Sequence, residues 1–524
     1  MTESRHYLRV GRATDLVDSS ERHLYRALEI FPGALAWVTL VFVVIGSAFF
    51  PVAIALFIIA FDVYWLLKTV YLSLHLRAAY RRLRVNLATD WRQKLEALPA
   101  HAYTLPIESW RQLDHLVILP MVDEGLEVVR PTMQMLAASH YPLEQLMVVL
   151  AIEARVGESA RQVAQTIEAE FGALFGAFLV TVHPDGLGGE IRGKGSNETW
   201  AAREVKEKIV DPRRIPYEHI IASVFDVDTV VRPDFFACLT YQYLTTPNPT
   251  RKSFQPVPFY SNNIWQAPAL ARVVALSATF WHMMQQERPE RQTTFSSHAM
   301  SFAPLVEIGF WQTNVVSEDS RIFWQCYLHL DGDWRVVPLY YPVEMDANLA
   351  PTFWQTMANV YKQQRRWGYG VENVPYFLYG FLKNKAVPFR KKLRFGFMVI
   401  EGFHAWATNA LIIFLLGWLP LVLGGRLFNV TVLSANLPVV TRNLMTLSMI
   451  GLVSSAVLSL NLLPPRPPEY GRFRYLWMVL QWLFMPLTII VFGALPGLEA
   501  QTRLMLGRYM GFWVTPKVRR SAAA

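Results

Sequence analysis

Two long apolar regions, at about residues 31–74 and, in three blocks, 395–495, bracket a central stretch of ordinary polarity. That bracketing limits the folds open to the chain, because a helix crossing hydrocarbon needs roughly 20 apolar residues. The first region, interrupted at Pro51, has room for two such helices joined by an uncharged turn, a membrane hairpin. Arg5, Arg9, Arg12, Arg22 and Arg26 precede it, and Arg77, Arg81, Arg82, Arg84 and Arg92 follow. Basic flanks stay on the cytosolic side, so both ends of the hairpin are expected there. No small-residue cleavage site follows a short apolar core, so a secretory signal is not expected. A chain that is 52% hydrophobic and 17% charged fits this reading. The net charge of +9 would suit nucleic acid, but the Lys and Arg sit mainly beside apolar segments. They read as contacts to membrane lipids, not to nucleic acid. Cys238 and Cys326 form neither a disulfide framework nor a zinc pattern.

Between about residues 115 and 342 the pattern becomes α/β. Short β-rich runs at 115–120, 145–153, 178–183 and 219–225 alternate with helical stretches, as in a mostly parallel sheet covered by helices. Ligands of such sheets bind at the carboxyl ends of the strands. Acidic residues fall there: Asp123 and Glu124 after the first run, Glu153 at the second, Asp226 and Asp228 after the fourth. A helical, Trp-rich stretch at 351–379 and a basic run from Lys383 to Arg394 lead into apolar blocks at 395–423, 444–463 and 476–495. Three crossings starting from the cytosol would leave the tail outside, yet it carries Arg503, Arg508, Lys517, Arg519 and Arg520. The charges outweigh the count. Either a fourth crossing is hidden, or the segment around Pro486 and Pro496 is broken or re-entrant.

Several short motifs have chemical content. Asp226 and Asp228, two apart at a strand end, can face one side and offer hard oxygens to Mg²⁺ or Mn²⁺ beside phosphates; a pair of turn carboxylates would look the same. Ser317-Glu318-Asp319, about 90 residues on, supplies a second acidic pair. Asp319 is placed to act as a base on a hydroxyl, with Glu318 as neighbour, while Ser317 starts a helix as its N-cap. Gly186 to Gly189 and Gly193-Lys194-Gly195 form a glycine-rich loop before a helix, where Lys194 adds a point charge for phosphate. A solvated loop is the plainer alternative, and the spacing is not that of a P-loop. Glu124 and Glu153 have the acceptor chemistry for a nucleobase or ribose, and equally that of turn carboxylates. Gln363, Arg366 and Trp367 put an amide, a guanidinium and an indole within one helical turn. They suit a sugar and a phosphate, or a basic helix resting on lipid. Asp62, Glu401, His404 and Asn409 lie in apolar segments and are expected to face protein or a wet cavity.

Taken in order, these motifs resemble membrane-embedded family 2 glycosyltransferases of the cellulose, chitin and hyaluronan synthase type. Ile118 to Glu124 looks like the first strand and nucleotide loop of that family. Asp226-Val-Asp228 matches its Asp-x-Asp, Ser317-Glu318-Asp319 its Thr-Glu-Asp, and Gln363-Gln-Arg-Arg366-Trp367 its Gln-x-x-Arg-Trp. Phe512, Val514, Thr515 and Lys517 match Phe-x-Val-Thr-x-Lys, a gating-loop motif in the cellulose synthase type.

The resemblance implies a cytosolic GT-A domain, Rossmann-like with a mostly parallel sheet, inserted between transmembrane helices. It implies a nucleotide-sugar site formed by Glu124, Glu153, Lys194 and Asp226, with Mg²⁺ or Mn²⁺ on Asp226 and Asp228. Asp319 is then the general base with Glu318 beside it, and Gln363, Arg366 and Trp367 form the platform for acceptor and diphosphate. Ser317 replaces the family's Thr, Glu153 stands where Asp is usual, and Ser296 to Met300 replace a small-residue motif near the acceptor.

The expected organisation is a cytosolic segment 1–30, a hairpin 31–75, the GT-A domain 76–345 and interface helices 346–394. A membrane region 395–500 and a basic cytosolic tail 501–524 complete it. The expected activity is inverting, metal-dependent transfer from a nucleotide-sugar, with a UDP-sugar as first choice, to a growing glycan. It takes place at the cytosolic face of a bacterial inner membrane and is compatible with coupled translocation, and no accessory subunit is specified. Single-sugar transfer to a lipid acceptor, a catalytically idle membrane scaffold, and nucleotidyl transfer are the alternatives.

Overall fold

The computed structural model describes residues 3–471, 473–516 and 519. Helix α1, Ser19–Phe49, and helix α2, Pro51–Ala88, form the hairpin. Asp18 caps the first through the Glu21 amide, and Pro51 opens the second, where its missing N–H costs nothing. The chain before α1 is not a loose leader. Tyr7, Leu8, Val10 and Ala13 are buried in the core of the α/β domain, and Tyr376 and Gln312 donate to the carbonyls of Leu8 and Arg9.

Eight strands make one sheet: β1 Asp114–Met121, β2 Leu146–Glu153, β3 Ala177–His183, β4 Ile220–Val224, β5 Val230–Val231, β6 Lys252–Tyr260, β7 Ala299–Ser301 and β8 Arg335–Met345. Their order is β3-β2-β1-β4-β7-β6-β8-β5. β1 pairs in parallel with β2 and β4, β2 with β3, and β6 with β8; β7 runs antiparallel to β4 and β6. The four strands expected from sequence are β1 to β4, displaced by at most one residue at their ends. β1 and β2 are almost entirely buried, as continuous apolar runs in a sheet covered on both faces should be. The chain passes outward from β1 to β3 and returns to β4 on the other side of β1. A crevice therefore opens at the carboxyl ends of β1 and β4, where Glu124 and Asp226 lie.

Helix α3, Lys194–Val205, and helix α4, Ala269–Gln286, belong to this domain, as does helix α5, Glu318–His329. Helix α6, Phe353–Gly368, carries Gln363, Arg366 and Trp367, and α7, Asn373–Lys383, follows it. Helices α8, Phe389–Phe414, and α9, Val432–Leu462, come next. Among the described residues, Ser19–Phe49, Pro51–Ala88, Phe389–Phe414 and Arg474–Met505 are long and apolar enough to cross a membrane.

Helix α9 runs beside α2 in the same direction. Leu437 packs near Ala55, Gly451 lies against Thr69 and Ser73, and Ala456 joins Leu76 and Leu83. It ends at the α/β domain, where the Trp265 indole donates to the Pro464 carbonyl. The segment Arg474–Met505 begins and ends on that side, while Ala494 and Leu498 in its second half pack with Ala36 and Leu40 of α1 and Leu411 and Ile412 of α8. Arg474 donates to the Trp265 carbonyl, and Gln481 accepts from Arg272 of α4. Phe492 clusters with Met357 and Val360, Gly497 abuts Gly368, and Arg26 donates to the carbonyls of Leu504 and Met505. Its helix is broken by a 3₁₀ turn at Gln481–Phe484 and a π turn at Ile490–Ala494. Two polar residues of the apolar segments find partners within the bundle: Glu401 pairs with Lys68 at 2.7 Å, and His404 with Thr39 at 2.9 Å.

Candidate functional site

The centre of the site is Lys194, the first residue of α3. Its Nζ lies 3.0 Å from Asp226 Oδ1, 3.0 Å from both carboxylate oxygens of Asp319 and 3.5 Å from Glu198 Oε1. One buried ammonium thus joins the end of β4 to the first turn of α5, across a gap of about 90 residues. Burial opposes the charge on Lys194, but Asp226, Asp319, Glu198 and Glu318 outweigh it and raise the pKa well above the ordinary lysine value.

Glycines permit this closeness. A Cβ on Gly195 would stand 2.9 Å from Glu318 Cβ and 2.9 Å from the Gln312 carbonyl, so only glycine lets α3 and α5 approach this far. Gly186 and Gly189 take φ of 80° and 82°, which turns the preceding loop.

The two members of the acidic pair differ. Glu318 is buried, and burial first, then the Asp319 charge, push it up to about 8 against the pull of Lys194 and Arg366. The shift favours the protonated form, which can donate a hydrogen bond. Asp319 keeps an exposed edge, and its carboxylate accepts from Lys194, with His298, whose pKa burial lowers, 4.0 Å away.

Ser317 does not cap α5 as expected. Its hydroxyl donates to Glu372 Oε1 at 2.7 Å, and the same oxygen accepts the amides of Val316 and Ser317. A glutamate from the turn after α6 therefore fixes the start of α5. Nearby, the buried Arg321 guanidinium is held by Asn373, Gln312 and the carbonyls of Glu372 and Val10.

Asp228 is fully buried; its Oδ2 accepts the Asp346 amide at 2.9 Å. It remains in the same neighbourhood. The Tyr260 phenol is raised by burial, then by the charges of Asp226 and Asp228, with Arg366 opposing and Asp319 adding to it. Trp367 packs against that ring with centroids 6.0 Å apart. Glu198, Glu318 and Asp319 also offer carboxylate oxygens within 4.8 Å of one another, but Lys194 already supplies a cation there.

Glu124 turns back on its own loop, accepting the Val122 amide at 2.7 Å. Glu153 is held by Arg155 and lines a separate cavity of about 140 Å³ with His183, Asp185, Glu190 and Arg192. The tail reaches the site. Phe512 Cβ stands 2.7 Å from where a Gly193 Cβ would be, and the Arg366 guanidinium lies over the Phe512 ring at 4.8 Å. Arg519 pairs with Asp346 at 2.8 Å. Thr515 is buried and Val514 half-buried, whereas Lys517 lies outside the described residues.

Sequence reasoning missed Glu198, Tyr260, Asp346 and Glu372. Glu198 alone had a signal, standing four residues after Lys194 on the same helix face. The other three are brought in by tertiary packing.

No protein-family model and no curated protein matches the chain. Solved structures with some likeness include a mannosyltransferase from Pyrobaculum calidifontis in complex with GDP-Man and Mn²⁺. It is 15% identical, with a TM-score of 0.43, covering 77% of this chain and 99% of that one. Residues 1–349 of S. aureus TarS are 10% identical, with a TM-score of 0.36, covering 67% and 91%. The same TarS fragment with UDP-GlcNAc gives a TM-score of 0.30.

Proposed function

We propose that the chain is an inverting family 2 glycosyltransferase of the membrane. It would move a sugar from a nucleotide-sugar to an acceptor hydroxyl at the cytosolic face. The observation that carries this reading is the bridge Asp226–Lys194–Asp319: two carboxylates remote in sequence meet at one ammonium in the crevice of the sheet. The proton of the acceptor hydroxyl goes to Asp319, and the oxygen attacks the anomeric carbon from the face opposite the leaving diphosphate. Lys194 fixes the Asp319 carboxylate and lies beside Asp226, where the departing phosphates gather. Arg366 adds a second cation on the same side. Glu318, whose burial favours its protonated form, is assigned as a hydrogen-bond donor beside the base.

Asp226 and Asp228 present the hard oxygens that Mg²⁺ or Mn²⁺ takes, and Asp226 keeps 29% of its side chain exposed. They would hold the ion, which when bound neutralises charge on the leaving diphosphate. The acidic trio around Lys194 is the poorer place, since an ammonium stands in it. The nucleotide is assigned to the strand ends that carry Glu124 and Glu153, and the acceptor to the Tyr260–Trp367 face.

In this reading α1, α2, α8 and α9 cross the membrane, while Arg474–Met505 is a broken, re-entrant segment that begins and ends at the inner face and packs on α1 and α8 between. The described part of the basic tail, through Phe512 and Arg519, then lies beside the catalytic domain, as its charges require. The domain limits 1–30, 31–75, 76–345, 346–394, 395–500 and 501–524 stand as part of this proposal. Incubating the purified chain with UDP-, GDP- and TDP-sugars and measuring released nucleoside diphosphate tests it. Release from at least one donor is expected; none would sink it, and pyrophosphate would indicate nucleotidyl transfer. Product length separates a polymerase from single addition.

A further inference from the structure

Beside the Tyr260–Trp367 pair is a small recess lined by Ala275, Val360, Gln363 and Asn348, with about 10 Å³ of space. That is the room of one water molecule, too little for a sugar ring. Asn348 sits in the loop between β8 and α6 and is 7% exposed. Neither its Oδ1 nor its Nδ2 has a hydrogen-bond partner among the described residues. A buried carboxamide with both ends unmatched is unusual in a folded chain, because each lost hydrogen bond to water goes uncompensated. The other walls of the recess are mostly apolar, so the shortfall is not met from within.

Resting on the glycosyltransferase reading above, the geometry points to Asn348 as a specificity-determining residue that receives an exocyclic hydroxymethyl group of the acceptor sugar. The acceptor ring stacks on Trp367, and its projecting CH₂OH enters the recess. A hydroxyl both donates and accepts, so one such oxygen can take an Nδ2 hydrogen and give its own to Oδ1. A site built to bond a hydroxyl rejects the analogue that lacks it far more strongly than an apolar pocket rejects a missing methylene. The residue therefore selects sugars with an oxygen at that arm over their deoxy counterparts.

The test uses the full chain in detergent, saturated with a nucleoside diphosphate. Binding is measured for methyl glycosides of glucose, mannose, galactose and N-acetylglucosamine, and for their 6-deoxy analogues. Wild type should bind at least one parent sugar tenfold or more tighter than its 6-deoxy form. In Asn348→Leu, of similar volume, that ratio should fall to near one, with nucleoside diphosphate affinity unchanged as evidence of an intact fold. Asn348→Ala, which leaves the recess open, should also lower it and serves if the Leu variant does not fold. A ratio retained in either folded variant, or no preference in wild type, overturns the inference. Failure of wild type to release nucleoside diphosphate from any donor would instead strike the glycosyltransferase reading itself.

Discussion

Replacing Lys194 by Met removes a cation that Asp226, Asp319 and Glu198 share. At an effective dielectric constant of about 20, unit charges 3.0 Å apart attract by about 5–6 kcal/mol. Most of that offsets the cost of burying the ammonium. Removing one partner of a buried pair typically destabilises by about 3–5 kcal/mol, because the remaining charge is left uncompensated. Asp226 and Asp319 keep 29% and 20% exposure and can regain water, so the lower end, about 3 kcal/mol, is expected here. For a chain of this size that is a fall of about 3 °C in the unfolding midpoint, read by thermal scanning in detergent. Adding Asp319→Asn should recover part of the loss, since the double variant no longer holds the orphaned charge. A midpoint within a degree of wild type, or strictly additive losses, would refute the shared-ammonium account.

Three further outcomes follow from the packing. Gly195→Ala should cost about 1–3 kcal/mol and depress donor turnover, because its Cβ meets Glu318 and Gln312. Gly188→Ala, with open space around it, should match wild type in both readouts. Glu372→Gln weakens three hydrogen bonds at the start of α5 by about 1–2 kcal/mol in total. It should lower kcat while leaving the donor KM unchanged; an altered donor KM with normal kcat would contradict that role. Because Cys238 and Cys326 are buried, single introduced cysteines can report topology. Glu469→Cys and Glu158→Cys should label from one membrane face and Asn429→Cys from the other. Labelling of positions 469 and 158 from opposite faces would break the proposed path of α9.

Much of the fold was legible because its determinants are local. The runs that became β1, β2 and β4 are nearly continuous apolar segments, and such runs in a covered parallel sheet need little context to recognise. Asp226 and Asp319 could be named as chemical groups from their motifs, and Lys194 from its glycine loop. What could not be read was the bridge between them, which depends on Gly195 letting two helices touch. Glu372 was invisible for the same kind of reason: its task is to hold amides more than fifty residues away in sequence. Ser317 looked like an ordinary cap, and only packing against α7 and the preceding turn diverts its hydroxyl to Glu372. The N-terminal segment offered too short an apolar pattern to announce that Tyr7, Leu8 and Val10 complete the domain core. The last apolar block has the length and composition of a crossing, and its packing on α4 and α6 was not legible in the sequence.

Asp319→Asn, assayed for nucleoside diphosphate release alongside nucleoside diphosphate affinity, bears most directly on the transfer centre. Loss of a positioned base should reduce release by about 10²–10⁴-fold with affinity held within twofold. Turnover close to wild type in that variant would remove Asp319 from the reaction, and the role of the Lys194 bridge in catalysis with it.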